Sequence, residues 1–201
     1  MNYYRPIHWN AAKCVIHYLK GTHNLQLRLG GTRPTKLIGF TDTSYGYYPD
    51  SGKSIGTYCF SLGTGVISWA ACKQKTIAQS TCDAEYIACS KAAQECMWLC
   101  MFTAKINLPQ PHPTPLLTDN KSFLALASDP CFHTCAKHIN THWHYICECI
   151  DNSNIYLSYV NMNDNVADIL TKMLPTPTLL CLHSFLGLCN PLASLIQGGV
   201  T

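Results

Sequence analysis

Charge is scarce in this chain: of 201 residues 11 are acidic and 14 basic, 12% together, against 47% hydrophobic. That balance excludes a disordered polypeptide, which needs many charges and few apolar groups, and leaves enough apolar side chains for one domain with appendages. Long apolar runs are also missing. No stretch approaches the roughly 18 residues that span a bilayer, so neither a transmembrane helix nor a membrane partner is expected. The segment Met1 to Pro6 has neither the charged region nor the apolar core of a secretory leader, and the expectation is an intracellular protein, cytoplasmic or nuclear. Internal repeats and low-complexity tracts are absent, which excludes solenoids and arrays. The net charge of +3 and pI near 8.2 permit a nucleic-acid partner without arguing for one.

Cysteine, by contrast, is abundant, with 13 residues. In a short secreted chain that count would suggest a disulfide framework. Without a leader the cysteines are expected to be reduced thiols acting as small hydrophobes, with no structural disulfide.

The spacing of Trp9, Ala12, Val15, Ile16 and Leu19 predicts an amphipathic helix over 8–20, stopped at Gly21, and the turn-rich "GGTRPT" at 30–35 is the best domain boundary. Beyond it, "KLIGFTD", "SIGTYCFSL" and "GVISWAA" read as three strands of an antiparallel meander, the last two joined through Gly63, Thr64 and Gly65. A long helix over about 80–105 follows, capped by Ser80 or Thr81 with Asp83 in its first turn. One side carries Cys82, Tyr86, Cys89, Ala93, Cys96 and Cys100; Asp83, Ser90, Lys91 and Gln94 fall on the other. "TPLLTDN" reads as a strand ending at Asp119, with a short helix over 121–127 after it. A helix over about 134–150, a strand over 154–160, a helix over 164–172 and a final helix over 176–188 complete the chain. This order predicts an α/β domain, a mixed five-stranded sheet flanked by helices.

Given so few acids, the placement of four of them is informative. Asp42 in "LIGFTD" and Asp119 in "PLLTDN" stand where strands are expected to end, Glu85 lies on the apolar side of the long helix, and Asp168 lies in "NVADILTK". An ionised carboxylate among apolar neighbours is costly unless a partner or metal compensates it, which sets Glu85 apart from an exposed Glu95. If the two strands are neighbours, Asp42 and Asp119 emerge together, within reach of Glu85 and Asp168. Oxygen-only ligands from separate elements suit hard Mg²⁺, and two such ions can stabilise the attacking and leaving oxygens of a phosphodiester. Singly, each of these acids is as readily a turn, cap or ion-pair residue.

As an ordered set they carry a resemblance. From Lys36 to Leu174 the chain resembles the ribonuclease H domain of copia-type retrotransposon polyproteins, through "GFTDTSY", "GVISWAACKQKTIAQS", "STCDAEYIA", "LTDNKSF" and "VADILTKMLP". The segment "HWNAAKCVIHYLKGT" resembles the end of the reverse transcriptase that precedes this domain, although no Tyr-x-Asp-Asp polymerase pattern occurs. The resemblance implies a ribonuclease H-like fold over 36–174, a reverse transcriptase remnant over 1–35 and a helical tail over 175–201. It implies an endonuclease that hydrolyses the RNA strand of RNA-DNA hybrids. Asp42, Glu85, Asp119 and Asp168 would hold two Mg²⁺, or Mn²⁺. The polymerase part of the parent polyprotein is a further expected partner. Gln79, Ser80, Thr81 and Asn120 adjoin the carboxylates and are candidates to contact the hybrid, with Lys73, Lys75, Lys53 and Lys121 as candidate phosphate contacts.

Cys131, His133, Cys135, His138, His142, His144, Cys147 and Cys149 invite a zinc reading, but they lack the paired knuckles of zinc folds. "FHTCAKHINTHWHYICE" also resembles a family stretch in which Cys135, His142 and Cys147 stand at arginine positions. Losing those charges weakens phosphate binding. The alternative to an active nuclease is therefore a degenerate, catalytically inactive remnant that binds nucleic acid weakly at most.

Overall fold

The structure, a computed structural model, describes residues 5–30, 35–128 and 140–190. Helix α1 (Pro6–Thr22) and the two-residue strand β1 (Gln26–Leu27) precede the sheet. The sheet is built from β2 (Leu37–Tyr48), β3 (Lys53–Leu62) and β4 (Gly65–Lys73), antiparallel and joined by short turns. Helix α2 (Thr81–Lys105) leads to β5 (Thr114–Thr118), and helices α3 (Lys121–Ser128) and α4 (Asn140–Asp151) lead to β6 (Ile155–Tyr159). The strand order is β4-β3-β2-β5-β6, with β5 parallel to β2 and β6 parallel to β5. A meander followed by two parallel strands on its β2 side, with helices between them, is the ribonuclease H-like arrangement that the resemblance implies.

The core lies between the sheet and α2. Phe60 and Leu116 meet Cys89, Ala92, Ala93 and Cys96, all fully buried, so several cysteines do serve as small core hydrophobes. The helix can approach closely because its sheet-facing residues are small. At Gly39 a Cβ would lie 2.5 Å from the Phe60 ring and 2.7 Å from Leu116, so only glycine lets those two side chains meet over β2. The described cysteines are free.

The N-cap is as expected: the Ser80 hydroxyl accepts from the Asp83 N–H at 3.1 Å. The division of α2 into faces is not. Asp83 and Ser90 are buried, while Lys91 is half-buried and Gln94 exposed; α4 packs on α2, with His142 near Asp83 and with Ile146 and Cys149 in the shared core. Asp83 is satisfied there, its Oδ2 accepting from the Gln79 N–H at 2.9 Å. Glu95 is half-buried rather than exposed and accepts from the Ser68 hydroxyl at 2.6 Å.

Two further expectations change. Strand β2 does not end at Asp42 but runs on to Tyr48, held by continued pairing to β3. The stretch 164–172 is not an α-helix; it forms two 3-10 turns, Met162–Asp164 and Val166–Leu170. The Asn165 side chain between them explains the break, since it accepts from the Ala167 N–H at 3.2 Å and donates to the Thr41 carbonyl at 3.2 Å, restarting the chain against β2. Of the helix expected over 134–150, the part before Asn140 lies outside the described residues.

The flanks meet each other. After α5 (Thr176–Phe185), the short strand β7 (Leu188–Cys189) pairs antiparallel with β1. Arg28 N–H donates to the Gly187 carbonyl at 2.8 Å, and Val66 N–H to Leu186 at 3.0 Å. Gly187, at φ +80°, has no room for a side chain: a Cβ would stand 2.7 Å from the Gly65 Cα. Helix α1, by contrast, buries none of its residues, and Trp9, Val15, Ile16 and Leu19 are exposed. The Tyr18 hydroxyl does reach the buried His183 Nε2 at 3.4 Å, so a chain beginning at Leu25 is expected to melt slightly below the full chain and to aggregate less. One beginning at Arg33 should fold but melt several degrees lower, having lost the β1 strap. Calorimetry of the two truncations tests this, and equal melting temperatures would place the strap outside the cooperative unit.

Candidate metal centre

The parallel pairing of β2 with β5 registers Gly39 with Leu116 and Phe40 with Leu117. Asp42 and Asp119 each lie two residues beyond the last of these pairs, where β5 ends beside the continuing β2, so their side chains come together there. Glu85 reaches the same point from the second turn of α2. That turn is fixed to the sheet at the Ala84 carbonyl, which accepts from the Thr43 hydroxyl at 3.3 Å and the Gln74 amide at 2.8 Å. One ligating oxygen from each of Asp42, Glu85 and Asp119 lies within 4.8 Å of the other two. Asp42 and Glu85 are buried and Asp119 half-buried.

Asp168, 4% exposed, adjoins this group from the 3-10 turn but faces a cation. Its Oδ2 accepts from Lys172 Nζ at 2.9 Å, and the same ammonium is 3.9 Å from Asp42 Oδ2. The Thr171 hydroxyl donates to Asp42 Oδ2 at 2.6 Å. Lys172 lies four residues after Asp168 inside the quoted "VADILTK" motif, a spacing that puts the two side chains within reach and is the signal that sequence reasoning passed over.

Electrostatics follow from the crowding. Glu85 is pushed up to about 8 from an ordinary 4.5, first by burial and then by the charges of Asp42 and Asp119, with hydrogen bonds from Asn120 and Thr43 opposing. Asp168 is raised to about 7 from 3.8 by burial, Lys172 opposing and Asp42 adding. Asp119 is raised as well, by burial and then by Asp42. Glu85 Oε2 and Asp168 Oδ1 are buried without a hydrogen-bond partner. Orphaned carboxylate oxygens in an oxygen-only cluster of repelling charges fit a hard divalent cation, which would satisfy them together.

The cleft over the carboxylates is lined by Thr43, Tyr45, Thr81, Asn120, Lys121, Tyr159 and Met162. Among the expected substrate contacts, Thr81, Asn120 and Lys121 line it. Gln79 and Ser80 stand at the α2 cap outside the lining. Lys73 lies over the Tyr48 ring at 4.0 Å, and Lys53 donates to the Lys75 carbonyl at 2.6 Å, all three away from the cleft. Tyr45 closes the motif "GFTDTSY" and Tyr159 and Met162 lie in no motif; none of the three was expected at the site.

Among the described residues, Asp42, Glu85 and Asp119 form the one group of three or more potential metal ligands. Cys131, His133, Cys135 and His138 lie outside the described residues. His142, His144, Cys147 and Cys149 belong to α4. Cys149 is in the core, and His142 is half-buried near Asp83 and Lys91 of α2, its pKa lowered chiefly by burial.

Comparison with known proteins agrees with the motifs. No protein-family model matches the chain. The retrovirus-related Pol polyprotein from transposon TNT 1-94 of Nicotiana tabacum is 36% identical over 168 residues, 84% of this chain. That from transposon RE2 of Arabidopsis thaliana is 32% identical over 169 residues, 83% of it. The chain spans 12% of the length of each. A 100-residue stretch, half of this chain, is also 37% identical to the secreted RxLR effector protein 161 of Plasmopara viticola and covers 70% of it. Among solved structures, LC11-RNase H1 in complex with an RNA/DNA hybrid matches 67% of this chain and 93% of its own at 14% identity, with a TM-score of 0.48. The chain belongs with the retrovirus-related Pol polyproteins of copia-type transposons, and its described sheet and helices have the ribonuclease H-like arrangement.

Proposed function

We propose that this domain hydrolyses the RNA strand of RNA-DNA hybrids, with Asp42, Glu85, Asp119 and Asp168 as the ligands of two Mg²⁺ ions, which Mn²⁺ can replace. The observation that carries the reading is the convergence of Asp42, Glu85 and Asp119 from three separate elements to within 4.8 Å, with one oxygen of Glu85 left buried and unpartnered. When bound, the metal pair supplies a water of lowered pKa and charge stabilisation at the leaving oxygen. The chain's own residues do the rest. Asp42 and Asp119 are fixed by strand register and Glu85 by the anchored turn of α2, so the acceptor geometry precedes substrate and costs no reorganisation when it binds. Thr81 and Asn120 flank the carboxylates as small polar groups suited to sugar hydroxyls, and Lys121 at the cleft wall is placed for a phosphate. The exposed apolar side of α1 is where the preceding polymerase part of a parent polyprotein would pack.

The test is an assay on a hybrid labelled in its RNA strand. Cleavage is expected with Mg²⁺ or Mn²⁺ and not in excess chelator, with single-stranded RNA and duplex DNA left intact. A degenerate, inactive remnant is the second reading, favoured by His142 and Cys147 at arginine positions. It would show no cleavage with either ion in a chain that remains folded.

A further inference from the structure

Lys172 is not an ordinary surface cation. Its ammonium is 2.9 Å from Asp168 and 3.9 Å from Asp42, and those carboxylate side chains are 6% and 4% exposed while the lysine itself is 42% exposed. A pair between two exposed chains is worth little, but here the acids cannot turn to water if the lysine leaves. The ammonium also stands where the fourth carboxylate would join the other three, and Asp168 Oδ1 remains buried and unpartnered beside it. Its stem starts just beyond the 3-10 turn, next to the fully exposed Met173, so it can withdraw to solvent without disturbing the sheet.

We propose that Lys172 is a built-in cation of the site: a positioning residue that holds Asp42 and Asp168 together before metal arrives and competes with a divalent ion for the Asp168 side of the cluster. Loading is then ordered. The group of Asp42, Glu85 and Asp119 fills first, and the Asp168 side fills only as the ammonium is displaced. The inference rests on the metal-site reading above.

The experiment is a calorimetric titration of the full chain with Mn²⁺, without nucleic acid, for parent, Lys172→Met, Lys172→Gln, Lys172→Arg and Asp119→Asn, paired with metal-free thermal melts. The weaker binding event is expected to tighten on the order of ten-fold in Lys172→Met and Lys172→Gln, which remove the competitor. The metal-free melting temperature of both should fall, while Lys172→Arg stays near the parent in both readouts. Unchanged affinity in the neutral variants overturns the proposal, as does a loss of affinity. If Lys172→Met does not fold, Lys172→Gln decides by the same two numbers. Asp119→Asn separates the two levels: binding unaffected by that change overturns the metal site itself, whereas binding weakened by it but indifferent to Lys172 overturns only the role of the lysine.

Discussion

Asp119→Asn and Asp42→Asn are each expected to lower Mg²⁺-dependent hybrid cleavage by at least about 100-fold, the scale on which losing one fixed stabiliser of transition-state charge acts. Both changes keep the shape of the side chain and remove the charge that a hard cation requires. Their effects on the metal-free fold should differ. Asp119 is half-buried and its pKa is raised by burial and by Asp42, so neutralising it relieves repulsion, and the variant should melt no lower than the parent. Asp42 also accepts from Thr171 at 2.6 Å and lies 3.9 Å from the Lys172 ammonium, so Asp42→Asn trades relief against Glu85 for a weakened bond to Thr171. Cleavage rates with circular dichroism and melting curves check both statements. Retained activity in either folded variant would remove the carboxylates from the chemistry.

The parts of this site legible in the sequence are those written in local pattern. Strands carrying Asp42 and leading to Asp119 and a capped helix carrying Glu85 follow from period-two alternation, a Ser80 cap and helical spacing, although β2 runs past Asp42 to Tyr48. The inference that Asp42 and Asp119 lie together needs only that β2 and β5 be neighbours, which they are. Non-local covering was not legible. Nothing in the α2 sequence announces that Asp83 and Ser90 will be buried while Gln94 stays exposed, because amphipathicity reports the apolar face and not what packs beside it. The 3-10 turns escaped for another reason. "NVADILTK" has helical composition, and what breaks it is one side-chain bond from Asn165 to the Thr41 carbonyl, 124 residues away. The pairing of β1 with β7 is likewise a contact between the two flanks, which spacing and composition treat as separate. Lys172 was in plain view within a quoted motif. Its part follows from where that motif docks rather than from the residue itself.

The same crowding predicts how stability depends on pH and metal. Glu85 and Asp168 have folded-state values of about 8 and about 7, above ordinary values of 4.5 and 3.8. In the unfolded chain both would titrate near those ordinary values, so across the interval between, the folded state holds protons that the unfolded state has released. Raised values of this kind contribute stability that is fully present below the unfolded pKa and is lost as pH rises through the folded one. The metal-free chain should therefore lose stability steadily from about pH 4 to about pH 8. Mg²⁺ should act in the opposite sense, because it binds the deprotonated cluster. The gap between melting temperatures with Mg²⁺ and with chelator is expected to be near zero at pH 5, to widen through pH 7 and to level off past pH 8. Glu85→Gln isolates one of the two contributions. Without metal it should match the parent at pH 5, exceed it at pH 8 and gain little from Mg²⁺ at either. A chelated parent whose melting temperature stays flat or rises from pH 5 to pH 8 would show that the carboxylates do not repel one another as placed, and the argument for a metal between them would lose its electrostatic half.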